Sequence, residues 1–277
     1  SRVGIGEVIA IFGLSLAQGG HYPPELGAKD DRVSCIDYYE SGVDDLKLPF
    51  VFSQLHEKSK IAPFHKAPFA WGYFGDLLVQ RLNVPVLLYG CAFGGTNINQ
   101  NYKAIRHIPF EHGFCRYRIG MPYRPLRAAM HHYVPYSGIR CILSHHGGND
   151  AGLPGDQFYH EYKFVIDYTR FENDKPRLAW VLSYDQDAHE TRHPHIQANQ
   201  LKILKTVPDT FFGFDMARAA PDEDSRPDRI HFGGKGTPRY AEEWARNLTA
   251  EFFRTAVPYP PDPEIDLAMV VEPVKKD

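Results

Sequence analysis

Ile5-Gly6-Glu7-Val8-Ile9-Ala10-Ile11-Phe12-Gly13-Leu14-Ser15 is the stretch on which the architecture turns. From Glu7 to Phe12 it is a short, nearly continuous apolar run, the pattern of a strand buried on both faces. Similar runs recur at Val84 to Tyr89, Ile139 to Ser144, Leu178 to Leu182 and Thr210 to Phe214. Helical spacing fills the intervals. Leu77, Leu78, Arg81 and Leu82 close one helix. Leu126, Ala129, Met130 and Tyr133 mark a second, and Phe158, Tyr162, Val165, Ile166 and Thr169 a third. Ile196 to Leu204 gives another, and Tyr240, Trp244, Leu248 and Phe252 form one stripe of a last amphipathic helix. Strands alternating with helices predict an α/β protein, a three-layer α/β/α sandwich with a central parallel sheet.

Between about residues 17 and 68 the chain is rich in Pro, Gly, Asp and Lys. That insert reads as a surface elaboration, with Leu48 to Phe52 able to add a hairpin. From Val257 onward the chain carries Pro258 to Pro263, mostly proline, and reads as an extended linker or a strap across the surface. Residues 1–256 are expected to form one domain and 257–277 a tail. No internal repeat or low-complexity tract is visible.

The 277 residues carry a formal net charge of -3, which argues against a nucleic-acid partner, because such a surface needs clustered positive charge. A neutral or weakly polar substrate fits better. No apolar stretch approaches the roughly 20 residues of a membrane span, and no charged-then-apolar leader stands at the start. The chain opens at Ser1, so excision from a longer precursor and a secreted or periplasmic location are the expectation. Cys35, Cys91, Cys115 and Cys141 have no paired spacing for a thiolate metal site. Cys91 and Cys141 lie in strand-like runs and read as small core residues. Cys35 and Cys115 sit in irregular polar stretches, leaving a disulfide between them open.

In an open parallel sheet, ligands gather beyond the carboxyl ends of the strands. After the first strand comes Gly13-Leu14-Ser15-Leu16-Ala17-Gln18-Gly19-Gly20, and after the second Cys91-Ala92-Phe93-Gly94-Gly95-Thr96-Asn97. His145-His146-Gly147-Gly148-Asn149-Asp150 follows the third, and Asp228-Arg229-Ile230-His231 precedes the last helix. The chemistry of these blocks is complementary. A serine hydroxyl needs a base to take its proton, and the base needs a third group to hold its tautomer. Ser15 with His231 and Asp228 supplies that set. The backbone N–H groups of Ser15 and Gly94 and the Asn149 amide are candidate donors to an oxyanion.

These four blocks, in this order, resemble the SGNH or GDSL-type hydrolases, and most nearly their sialate O-acetylesterase-like carbohydrate esterases. The resemblance runs from about residue 5 to 255. It covers the opening strand, Val84-Pro85-Val86 with Gly94-Gly95-Thr96, the Gly-x-Asn-Asp form of Gly147 to Asp150, and the helix around Ile196-Gln197-Ala198-Asn199-Gln200. It implies a flavodoxin-like fold and, without metal or organic cofactor, hydrolysis of a carboxylic ester through an acyl-serine, on an acetylated carbohydrate. It also implies Asn149 as oxyanion donor. Two departures stand out. Leu14 and Leu16 replace the amides that flank the nucleophile in that branch, which removes polar surroundings from Ser15 and implies either weak activity or a more apolar substrate. His145-His146-Gly147-Gly148-Asn149-Asp150 replaces its usual third block.

Other readings compete at particular residues. Asp150 is either a cap for the helix after its loop or a substrate contact. The 14 histidines raise a metal site at His189, His193 and His195 or at His145 and His146, although Pro194 breaks the helix that would align the first set. The loop from Asp185 to His195 is a candidate substrate contact. Trp71 and Tyr73 read as core rather than as a sugar platform. A catalytically silent carbohydrate-binding domain and a lipid- or thioester-directed hydrolase are the rival functions. The oligomeric state is not encoded in any feature above.

Overall fold

A computed structural model describes residues 6–44, 47–185 and 193–264. Its strands in chain order are β1 (Glu7–Gly13), β2 (Val33–Ile36), β3 (Phe52–Gln54), β4 (Val86–Gly90), β5 (Cys141–His145), β6 (Ala179–Tyr184) and β7 (Thr210–Asp215). They form one seven-stranded sheet in the order β3-β2-β4-β1-β5-β6-β7. Every pairing is parallel except β2 with β3. The opening stretch therefore becomes the central strand, with Ile11 opposite Gly90 of β4 and Gly13 opposite His145 of β5.

The helices are α1 (Ser15–Gln18), α2 (Trp71–Leu82), α3 (Ile98–Ile105), α4 (Arg124–Ala128), α5 (Val134–Ser137), α6 (Gln157–Glu172), α7 (Pro194–Thr206), α8 (Met216–Ala219), α9 (Gly236–Asn247) and α10 (Ala250–Thr255). Alternation along β1 sends successive side chains to opposite layers. Ile9 and Ile11 pack with Trp71, Phe74 and Leu78 of α2 and Tyr240 and Trp244 of α9. Ala10 and Phe12 pack with Tyr133, Phe158, Tyr162 and Ile203 on the other face. Each layer covers one face of the sheet, and truncating one of these buried side chains costs about 2–5 kcal/mol. Trp71 is fully buried and Tyr73 is packed partly against the same core, as their helical setting suggested.

Three expectations need correcting, and one open question closes. The insert is not only a surface elaboration: Val33–Ile36 enters the sheet as β2, parallel to β4, and Phe52–Gln54 adds the antiparallel edge. Four residues bounded by charge are too short to show a strand period. The last helix is two, because the Thr249 side chain accepts a bond from the Phe252 N–H and caps a new start at α10. The stripe survives the break, with Tyr240, Trp244, Leu248 and Phe252 all buried. The helix around Met130 passes through a π-helical turn at Ala129–Tyr133, just before Pro135, whose missing N–H interrupts the regular ladder. Finally, all four cysteines are buried free thiols, so Cys35 and Cys115 are not bridged. Burial pushes the Cys35 and Cys115 thiols up to about 12.

The described part of the tail does strap the surface. Tyr259 pairs with Ile139 through bonds of 2.8 and 2.9 Å, and the Asp262 N–H donates to the Pro135 carbonyl at 2.7 Å. Among the described residues, no helix is long and apolar enough to cross a membrane.

Candidate active site

The carboxyl ends of β1, β4 and β5 are tied together by backbone bonds. The Leu14 N–H donates to the His145 carbonyl at 3.1 Å, and the Phe93 N–H donates to the Gly13 carbonyl at 2.8 Å. Side-chain amides join the next residues out. Asn149 donates to the Thr96 carbonyl at 3.0 Å, and Asn97 to the Asn149 carbonyl at 3.3 Å. These bonds bring the first three glycine-rich blocks to one edge. The fourth arrives with the loop before α9.

Ser15 opens α1 directly beyond β1 and is 9% exposed. His231 Nε2 lies 2.9 Å from Ser15 Oγ, and His231 Nδ1 lies 2.7 Å from Asp228 Oδ2. The other Asp228 oxygen accepts the backbone N–H groups of Ile230 at 2.9 Å and His231 at 2.7 Å, closing a tight turn. Arg229, inside that turn, takes a left-handed φ of 65°, a conformation costing on the order of 1 kcal/mol for a side-chain-bearing residue. Partial burial pushes the Asp228 carboxyl up, but the bonds from the His231 ring and from the two backbone N–H groups outweigh it and hold it near about 2. An ionised Asp228 places the proton on Nδ1, so Nε2 presents its lone pair to Ser15.

Ser15, His231, Gly94 and Asn149 line one open cavity of about 1050 Å³. The three candidate oxyanion donors stand differently. The Ser15 N–H belongs to the first turn of α1, where a helix supplies no internal acceptor. Asn149 uses one amide hydrogen on Thr96 and keeps a second. The Gly94 N–H already donates to Gln18 Oε1 at 2.9 Å, while Gln18 Nε2 donates to the Phe64 carbonyl at 3.3 Å. Gly94 itself presses on the nucleophile, since a Cβ there would lie 3.2 Å from Ser15 Cβ.

Leu14 and Leu16 do not make the pocket apolar. Both are 2% exposed and packed in the core beneath it, while Gln18 brings an amide to the cavity wall three residues after Ser15. Asp150 caps a helix other than the one expected: its Oδ1 accepts the Ile98 N–H of α3 at 2.9 Å. It is absent from the cavity lining. His145 and His146 are fully buried, with His145 Nδ1 3.0 Å from the Tyr240 hydroxyl. His195 Nε2 lies 3.1 Å from the Ala151 carbonyl. His189 and most of the loop from Asp185 to His195 lie outside the described residues. Among the described residues, no group of three or more His, Cys, Asp and Glu side chains is placed to hold a metal ion.

Much of the cavity wall carried no role in the sequence, Tyr39, Phe64, Lys66, Phe114 and Arg116 included, and two residues close after the nucleophile were missed as well. Gln18 is one, and His21 is the other, its ring stacked on that of His231. The only signal for either was proximity to Ser15 and the glycine pair between them.

No protein-family model matches the sequence, and no curated protein matches it. Solved structures do. A protein from Arabidopsis thaliana matches with a TM-score of 0.60 at 14% identity, over 91% of this chain and 100% of that one. A carbohydrate acetylesterase from Xanthomonas citri matches at 0.55 and 15% identity, over 88% of this chain and 55% of that one. The chain has the fold of the SGNH hydrolases. A psychrotrophic esterase from Pseudoalteromonas shares it with a TM-score of 0.53 and 11% identity, over 90% of this chain and 100% of the other. On this fold the edge occupied by Ser15 is the carboxyl end of the parallel strands, where the general rule for such sheets places ligands.

Proposed function

We propose that this chain is a carboxylic ester hydrolase that removes O-acetyl groups from a carbohydrate, with Ser15 as nucleophile, His231 as general base and Asp228 as its orienting partner. The observation that carries this reading is the unbroken chain of contacts from Asp228 Oδ2 to His231 Nδ1 at 2.7 Å and from His231 Nε2 to Ser15 Oγ at 2.9 Å, opening into the cavity. Ser15 Oγ attacks the ester carbon as Nε2 takes its proton. The oxyanion forms beside the Ser15 N–H and the free Asn149 amide hydrogen, and the Gly94 N–H joins them once Gln18 yields it. Collapse expels the alcohol, which takes the proton from His231. A water, activated by the same nitrogen, then cleaves the acyl-serine and regenerates Ser15.

A carbohydrate acetylesterase among the fold neighbours supports the substrate class, as does the shape of the site. The cavity of about 1050 Å³ far exceeds an acetyl group, and the rings of Tyr39, Phe64, Phe93 and Phe114 run along its wall with centroids 4.7 to 6.0 Å apart. Aromatic faces of this kind pack against sugar rings. Lys66 and Arg116 are cations among the described lining residues, and their charge favours an acidic sugar over a basic one.

The test is a fluorophosphonate probe, which reports an activated serine, followed by a screen of acetylated polysaccharides and sialic acids. Labelling at Ser15 is expected, and Ser15→Ala should abolish it and lower kcat by on the order of 10³-fold or more with the fold intact. Should the intact protein take no probe and cleave no acetyl ester, yet bind an oligosaccharide, it is a silent binding domain. A preference for long acyl chains would replace the acetyl reading with a lipid-directed one.

A further inference from the structure

The His21 imidazole lies flat on that of His231, with centroids 3.7 Å apart and the planes within 6°. We propose that His21 is a positioning residue for His231: its ring covers one face of the imidazole and holds it in the plane from which Nε2 reaches Ser15. The inference rests on the reading of His231 as general base.

The Asp228 bond alone leaves His231 a freedom. One contact at Nδ1 acts as a pivot, and a ring pivoting about it can swing Nε2 away from Ser15. His231 keeps 19% of its side chain open to solvent, so the core does not pack it on every side. A flat second ring blocks the swing on the side it covers.

The backbone is arranged to deliver that ring. Directly after α1, Gly19 and Gly20 take left-handed φ values of 68° and 79°, reversing the chain toward the His231 loop. Gly19 has no alternative: a Cβ there would lie 2.1 Å from Phe69 Cγ. The next residues are clamped against the residues after His231. The Gly234 N–H donates to the Pro23 carbonyl at 2.8 Å, and Gly233 passes so close that a Cβ on it would meet Tyr22 Cβ at 2.6 Å. One short stretch thus carries both the serine and the ring that steadies its base.

His21 is also suited to stack on a ring that becomes a cation during turnover. Partial loss of water around the ring lowers its pKa most, the neighbouring His231 lowers it further, and Asp228 and a Gly19 backbone hydrogen bond pull the other way. A neutral imidazole offers a polarisable face without like-charge repulsion.

The experiment compares His21→Ala with His21→Phe, which keeps a flat ring and removes the nitrogens. For His21→Ala, kcat on a short-chain acetyl ester should fall by about 10-fold with KM within about twofold, because the loss is one of alignment rather than of binding. His21→Phe should restore kcat to within about threefold of wild type. The low-field proton resonance of the His231 Nδ1–H, bonded to Asp228, should broaden or vanish in His21→Ala as water reaches the ring, and return in His21→Phe. Unchanged kcat and resonance in His21→Ala would overturn the proposal, as would His21→Phe falling as far as His21→Ala. If His21→Ala does not fold, His21→Leu against His21→Phe makes the same comparison of a flat ring with none. If the wild type neither takes the probe nor cleaves any ester, the proposed function fails by itself, and the resonance still decides the role of His21.

Discussion

Asp228 gives the sharpest test at the scale of a single residue. In Asp228→Asn the amide must choose. With its oxygen kept on the Ile230 and His231 backbone N–H groups, its NH₂ faces His231 Nδ1 and drives the ring proton to Nε2, where it points at Ser15 instead of accepting from it. The flipped amide would set NH₂ against two N–H donors. Either way the base is disabled, and kcat should fall at least about 10²-fold, less than for Ser15→Ala, with the fold kept and the melting temperature lowered modestly by loss of the ionised carboxylate. Steady-state kinetics beside a thermal melt check both halves. Gly94→Ala is a second test. The added methyl meets the movable end of Gln18 at 2.8 Å and Ser15 Cβ at 3.2 Å, so the chain should fold while kcat drops by about 10-fold or more from crowding at the oxyanion. Wild-type turnover in this variant would remove Gly94 from the machinery. The meeting of Ser15, Asp228 and His231 was legible because each stands in a turn at a strand end or helix start. Gln18 and His21 were not, because their roles depend on the path of the backbone through Gly19 and Gly20. Leu14 and Leu16 misled for a related reason: adjacency to Ser15 in sequence says nothing about which side of α1 a side chain takes.

Among the elements, α3 shows how a loop of one block supports another. Asn97 forms a capping box with Gln100, and Asp150, from the loop beyond β5, adds its Oδ1 on the Ile98 N–H. Asp150 is 1% exposed and its second oxygen has no partner, so burial pushes its carboxyl well above the ordinary range. A carboxyl pushed toward its neutral form is closest in shape and polarity to an amide. Asp150→Asn should therefore change stability by less than about 1 kcal/mol near neutral pH, whereas Asp150→Ala should lose about 1–3 kcal/mol by orphaning the Ile98 N–H. Urea denaturation separates the two, and equal losses would mean that the carboxyl acts as a charge. The apolar runs that announced β1, β4, β5, β6 and β7 were readable because strands buried on both faces carry little else. β2 and β3 were hidden by their four and three residues, too few for a period and set among Asp, Lys and Pro. The break at Thr249 carried its own signal in a capping residue, masked by an apolar stripe that continues across it.

Across the whole molecule, the buried histidines tie stability to pH. Burial pushes both His65 and His146 down to about 3, and each is fully buried. The unfolded chain holds ordinary imidazoles titrating near 6.5. Between pH 6.5 and about 3, then, unfolding takes up protons that the folded state refuses, and stability is complete above 6.5 and declines as the pH falls. Asp228 acts in the same direction further down: the stability it lends is present above about pH 4 and is lost as the pH falls through about 2. Each histidine contributes a slope of up to about 1.4 kcal/mol per pH unit inside its window. His146 is the site at which to test this. His65 Nε2 accepts the Ala92 N–H at 3.1 Å, so replacing it would orphan a backbone donor and confuse the comparison. Neither ring nitrogen of His146 has a partner, and its neighbours are the rings of Phe12 and Tyr162 with centroids 4.9 and 6.0 Å away. His146→Phe therefore exchanges one flat ring for another and removes a proton acceptor from the unfolded state only. Urea midpoints measured from pH 8 to pH 5 should fall less steeply in His146→Phe than in wild type, and the variant should be relatively more stable at pH 5. Parallel slopes would show that the imidazole takes its proton in the folded protein, through a rearrangement of the core behind the Ser15 cavity.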